Sequence, residues 1–264
     1  NNNLKPMEID PLASNYLRFC RPVCAETGHD DFPFQRVGSG FIVTFNGHYF
    51  LLSTKHAFRN VGADARRTRI PMTFNDQRPW PVWAFTLTEA IAQFADDDAY
   101  ADVGLFWLDS NAARTTAITD FDYLPIPRRP PNSEDEPLLA LGHPLFAFGF
   151  PEKKKKTSTK AFIDDEAQMI HTDLVSVEGK YDGVTAEFGI HLFKTADMGD
   201  SDPNGFSGGP ITTFDSSRIG HHRLVGMILR GGTGSGIFRF LSVNLISDLL
   251  MKITPRLANM KRSL

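Results

Sequence analysis

An Asn46-Gly47 dipeptide separates two β-rich runs, Gly38-Ser-Gly-Phe-Ile-Val-Thr-Phe45 and His48-Tyr-Phe-Leu-Leu-Ser53. Both turn residues reach φ > 0 at little cost, and the resulting twist matches that of antiparallel strands. The segment therefore predicts a β-hairpin with His56 just past its second strand. Short strand-like runs recur at Ile70 to Phe74, Trp80 to Thr86 and Val103 to Leu108, with a helical turn expected from Thr88 to Phe94. The Pro-rich, charged stretch 124–137 cannot form a central strand, because Pro lacks the ladder donor, and it marks a boundary between two domains.

Strand-like runs resume after that boundary at Leu145 to Phe150, Ala161 to Ile163, Met169 to Val177, Ile190 to Lys194, Gly209 to Phe214, Leu224 to Leu229 and Gly236 to Leu241. Only the tail changes period. Leu245, Ile246, Leu249, Leu250 and Ile253 fall at helical spacing, with Asn244 as the expected cap and Pro255 as the expected stop. With 22 Phe, 21 Gly and 17 Pro spread through short apolar runs, the chain is expected to be all-β. The expected division is an extension over 1–34, a first β-barrel over 35–123, an interdomain linker over 124–137, and a second barrel with a C-terminal helix over 138–264.

A net charge of -3, from 28 basic and 31 acidic residues, gives no electrostatic case for a nucleic-acid or anionic-membrane partner. The longest apolar stretch, Leu138 to Phe150, is broken by Gly142, His143 and Pro144 and is too short to span a bilayer. Cys20 and Cys24 are the only cysteines, so no disulfide framework spans the chain. Two reduced or buried thiols are expected, ahead of a local disulfide or half a metal site; no metal or cofactor is expected. The run Asn1 to Pro6 before Met7 fits an expression remnant or a trimmed edge. With Met7 as the start, a cytoplasmic location is expected, although a cleaved secretion signal would leave no trace.

Chemistry concentrates in Gly205-Phe206-Ser207-Gly208-Gly209-Pro210. A nucleophilic Ser needs a turn that exposes its hydroxyl and leaves nearby N–H groups unpaired, and flanking glycines permit it. The amides of Gly205 and Ser207 are the expected oxyanion donors. The hexapeptide resembles the Gly-x-Ser-Gly-Gly-Pro signature of trypsin-like serine proteases. Phe50-Leu-Leu-Ser-Thr-Lys-His56-Ala57 is similar to that family's strand and turn carrying the catalytic His, and Asp102-Val-Gly-Leu-Phe-Trp-Leu108 to its Asp-bearing strand. Chain order and spacing agree with the triad of that family.

The resemblance covers roughly residues 35–250. It includes Phe146-Ala-Phe-Gly-Phe-Pro151, which is similar to the opening strand of the second barrel in bacterial Deg-type members. It implies two six-stranded antiparallel β-barrels of chymotrypsin-like form, with His56 as base, Asp102 as its orienting acid and Ser207 as nucleophile in a cleft between them. The implied activity is hydrolysis of protein or peptide bonds through an acyl-enzyme. By offset from Ser207 it places the substrate pocket at Ser201 and Asp202, with Leu229, Arg230 and Gly231 as one wall and Gly234 to Ile237 as another. Acidic neighbours there favour a basic P1 residue, whereas an inward Arg230 favours an acidic one.

Phe206 stands where secreted members carry the Asp that pairs with a new N-terminus, so zymogen-style activation is not expected. No PDZ-like domain is expected after the second barrel, and a compact bacterial peptidase with a regulatory protein partner is the implied setting. Three alternatives stay open at this point. Asp97 or Asp98 could replace Asp102 if the register slips; Gly205-x-Ser207-x-Gly209 also fits an esterase or lipase elbow; and a protease-shaped module could bind without cleaving.

Overall fold

The computed structural model describes residues 19–26, 28, 34–59, 68–71, 80–83, 102–108, 123–126, 139–151, 163–164, 167–170, 174–196, 203–214, 221–231 and 235–260. Among the described residues the fold is all-β apart from a short helical turn and one C-terminal helix. In chain order come β1 (Cys20–Glu26), β2 (Phe34–Phe45), β3 (His48–Thr54), α1 (Lys55–Arg59), β4 (Thr68–Pro71), β5 (Trp80–Trp83), β6 (Val103–Leu108) and β7 (Leu124–Pro125). There follow β8 (Pro144–Gly149), β9 (Ile163–Asp164), β10 (Ala167–Ile170), β11 (Val175–Val184), β12 (Ile190–Lys194), β13 (Pro210–Phe214), β14 (His222–Gly231), β15 (Ile237–Ser242) and α2 (Val243–Met260).

The expected hairpin forms. Asn46 at φ 52 and Gly47 at φ 76 close β2 on β3 in the register Phe45↔His48. Along β2, β3 and β6 the side chains alternate between two buried clusters. Phe41, Val43, Phe50, Leu52, Val103 and Leu105 face one, and Ile42, Leu51 and Phe106 face the other. Burial on both faces explains why these strands read as continuous apolar runs.

Where two closed barrels were expected, one closes. Strands β11-β12-β15-β14-β13-β8 form a closed six-stranded antiparallel barrel, filled by Leu145, Ala147, Tyr181, Phe193, Phe206, Ile211, Phe238 and Phe240 among others. The other nine strands form an open sheet in the order β6-β3-β2-β1-β4-β5-β10-β9, with β7 parallel to β2. A single large cluster, from Phe19 to Ile253, joins this sheet to the outer face of the barrel and to α2.

Several expectations shift. Strand β1 lies inside the stretch set aside as an extension and pairs with both β2 and β4. Its Pro22 and charged residues hide the strand, yet β4 pairs only at Cys24 and Ala25, so Pro22 has a ladder on one side alone, where Pro is tolerated. The run Met169 to Val177 splits into β10, which pairs β5 in the open sheet, and β11, which enters the barrel. Leu124 and Ile126, at the start of the expected linker, are buried beside β2 with Pro125 exposed between them. The helical turn at Thr88 to Phe94 lies outside the described residues.

Helix α2 packs Leu245, Ile246, Leu249, Leu250 and Ile253 inward as the spacing indicated. Its cap is Ser242 and not Asn244, because the Ser242 hydroxyl accepts the Leu245 N–H at 3.3 Å. Pro255 falls inside the helix and does not end it. A proline so near the terminus removes one ladder bond, and Thr254 donates its hydroxyl to the Leu250 carbonyl one residue earlier at 2.7 Å. Cys20 and Cys24 are buried free thiols. Among the described residues no cluster of His, Cys, Asp and Glu could hold a metal, and no helix is long and apolar enough to cross a membrane.

Candidate active site

Strand register decides where His56 finds its partner. Pairing of β3 with β6 runs to Thr54↔Val103, so the next residue on each strand, Lys55 and Asp102, meets across the end of the ladder. The Lys55 N–H donates to the Asp102 carbonyl at 2.9 Å. The Asp102 carboxylate then takes both donors of the following residue, His56 N–H at 3.0 Å and the ring Nδ1 at 2.7 Å. A carboxylate only accepts, so Nδ1 carries a proton, and in the neutral imidazole Nε2 is then the acceptor. The two side chains are 32% and 25% exposed, placing the couple at a surface and not in the core. The ring partner is thus Asp102; Asp97 and Asp98 lie outside the described residues.

Other histidines show the contrast. His191 is fully buried, with its Nδ1 on the Tyr181 hydroxyl at 2.7 Å, the usual situation of a satisfied core histidine. His222 pairs Nδ1 with Thr212 at 2.8 Å among Phe19, Phe146, Phe148 and Phe214. Burial, with a smaller contribution from adjacent His221, pushes its imidazole down to about 4.

The Ser207 turn is anchored from inside the barrel. Phe206 is fully buried, with its ring edge-on to Phe238 at 5.6 Å, while Ser207 beside it is half-buried. Gly205 at φ 95 and Gly208 at φ 85 bend the chain on either side through backbone space that residues with a Cβ rarely enter. The N–H groups of Phe206, Gly208 and Gly209 donate to Pro203, Ile228 and Phe206 carbonyls at 3.3, 2.8 and 2.8 Å. Those of Gly205 and Ser207 donate to no carbonyl among the described residues. Two N–H groups of the turn thus lack a backbone acceptor among the described residues, while the three others are engaged.

The turn docks directly on the strands that lead to His56. Gly38 of β2 lies between the Ser207 carbonyl and Ala57, each within 3.3 Å of where a Cβ at position 38 would stand, so a side chain there would crowd both. Gly208 sits likewise against Ser39 and Ser53. No hydrogen bond joins Ser207 Oγ to His56 in the described structure. In ligand-free sites such bonds are often long and tighten only with substrate.

On the pocket side, Ser201, Asp202 and Gly234 lie outside the described residues. Leu229 sits at a bulge between Ile228 and Arg230 and packs towards the core. Arg230 is exposed, and Gly231 is pressed against Pro203 and Phe238. Sequence reasoning missed Ser39 and saw Phe206 only as a departure. The available signal was Gly38-Ser39-Gly40, because two glycines inside a strand mark close backbone approach.

Cys20 and Cys24 are remote from reactivity: burial pushes the Cys20 thiol far up and the Cys24 thiol up to about 12. No protein-family model matches the chain, and no curated protein matches it.

Proposed function

We propose that the protein is a serine endopeptidase of the trypsin-like kind, with the open sheet and the closed barrel as the two halves of a chymotrypsin-like architecture. The observation that carries the proposal is the Asp102 carboxylate, which grips both the backbone and the ring of His56 while the Ser207 turn is pressed against the same strands.

In this mechanism His56 Nε2 takes the Ser207 proton as Oγ attacks a scissile carbonyl carbon. Negative charge on the former carbonyl oxygen is met by the N–H groups of Gly205 and Ser207. Collapse breaks the C–N bond, and His56 returns the proton to the leaving amine. Water then repeats the sequence on the acyl-enzyme and frees Ser207. Asp102 stabilises the imidazolium formed in each half and keeps Nε2 turned outward. Phe206 holds the turn by apolar burial, so the site needs no newly cut N-terminus to assemble.

An esterase built on a nucleophile elbow requires a helix straight after the Ser. Strand β13 begins there instead, at Pro210. Incubating the protein with a peptide library tests the proposal: hydrolysis is expected, with its P1 preference read from the products, and Ser207→Ala should abolish it. Hydrolysis that survives in Ser207→Ala, or none by the intact chain, would overturn it.

A further inference from the structure

Ser39 is fully buried on β2, and each of its polar groups is engaged where sheet and barrel meet. Its N–H donates to the Ser207 carbonyl at 3.1 Å, and its hydroxyl donates to the Gly205 carbonyl at 2.5 Å. The same hydroxyl accepts the Phe150 N–H at 2.8 Å, and the Ser39 carbonyl accepts the Ser53 hydroxyl at 2.7 Å. One residue of the sheet therefore grips the Ser207 turn at two carbonyls and the end of β8 at an amide.

We propose that Ser39 is a positioning residue that sets the orientation of the oxyanion-binding amides, an inference that rests on the peptidase reading above. Three successive peptide planes run through the turn. The plane between Gly205 and Phe206 is pinned by the Ser39 hydroxyl at its carbonyl and by Pro203 at its N–H. That between Ser207 and Gly208 is pinned by the Ser39 N–H and by Ile228. The plane between them carries the Ser207 N–H and is held by Gly209 at its carbonyl. The hydroxyl of Ser39 is the only side-chain group among these clamps. Without it the part-buried Gly205 carbonyl loses its partner, and rotation of that peptide to recover one moves the neighbouring Gly205 and Ser207 N–H groups off the reacting oxygen.

Kinetics with 4-nitrophenyl acetate, and inhibition by phenylboronic acid as a tetrahedral mimic, test the role in the full chain. Ser39→Ala is expected to lower kcat roughly 10- to 30-fold, less than outright loss of an oxyanion donor. KM should stay within about threefold while the boronic acid Ki rises in step with the fall in kcat. Ser53→Ala, which removes a buried hydroxyl bond at the same junction but leaves the Gly205 carbonyl clamped, should lower Tm and keep kcat within about twofold. Should Ser39→Ala fold too poorly to measure, Ser39→Cys keeps the shape with a weak donor and should show the kcat loss at nearly native Tm. Native kcat and Ki in the Ser39 variants, or equal kcat losses for Ser39 and Ser53, would overturn the proposal. Wild type that neither turns over the ester nor binds the boronic acid would overturn the peptidase reading itself.

Discussion

The two halves of the candidate site are held by different physics. On the sheet side, His56 and Asp102 are fixed by ladder register and three hydrogen bonds to one residue, and both side chains stay partly exposed. On the barrel side, the Ser207 turn is fixed by a buried aromatic ring and by a serine 168 positions earlier, with its neighbours fully enclosed. Polar register orients a ring; apolar burial holds a backbone still. If that division is right, mutations on the two sides should separate activity from stability.

The largest effect belongs to the sheet side. Asp102→Asn keeps the size of the side chain but can present an N–H to Nδ1, favouring the wrong tautomer. Turnover of the best library peptide is expected to fall about 10⁴-fold with Tm changed by only a few degrees. A loss of tenfold or less would mean that Asp102 does not orient the base. On the barrel side, Phe206→Ala should cost about 3 to 5 kcal/mol of stability by emptying the space beside Phe238, read from urea denaturation. A change below 1 kcal/mol would show that the turn is held some other way.

His222 sharpens the same contrast, because burial there acts against charge. Its folded-state pKa lies below the unfolded one, so the unfolded chain binds the proton first as pH falls. Stability from this group is whole above pH ~6.5 and is lost progressively down to about 4, by up to about 3 kcal/mol. Urea midpoints at pH 7 and pH 4.5 should therefore converge in His222→Phe, and an unchanged difference would remove His222 as the cause. Smallest in scale is the thiol test. Both cysteines should be inert to a thiol reagent in the native state and react together on unfolding. Rapid native-state reaction would contradict the burial of β1.

What was legible in the sequence follows the same line. Elements made by local chemistry could be read directly: the Asn46-Gly47 hairpin, β6, β12 and the inward face of α2. His56 and Asp102 could be placed because both sit at strand ends whose apolar runs are plain. Features set by distant contacts could not. Pro22 hides β1, whose strand character depends on β2, and Pro255 reads as a stop although α2 continues through it. Ser39 looks like a hairpin residue because its partners at the Ser207 turn and beside β8 lie 111 to 168 positions away. The open sheet was invisible for the same reason, since β10 joins it from beyond the Pro-rich stretch.

Treatment with a fluorophosphonate followed by mass spectrometry of the tryptic peptides tests the central claim most directly. One adduct per chain is expected, on Ser207, forming at least 100-fold more slowly in His56→Ala. Labelling on another serine, or equal labelling with and without the imidazole, would contradict a Ser207 nucleophile activated by His56.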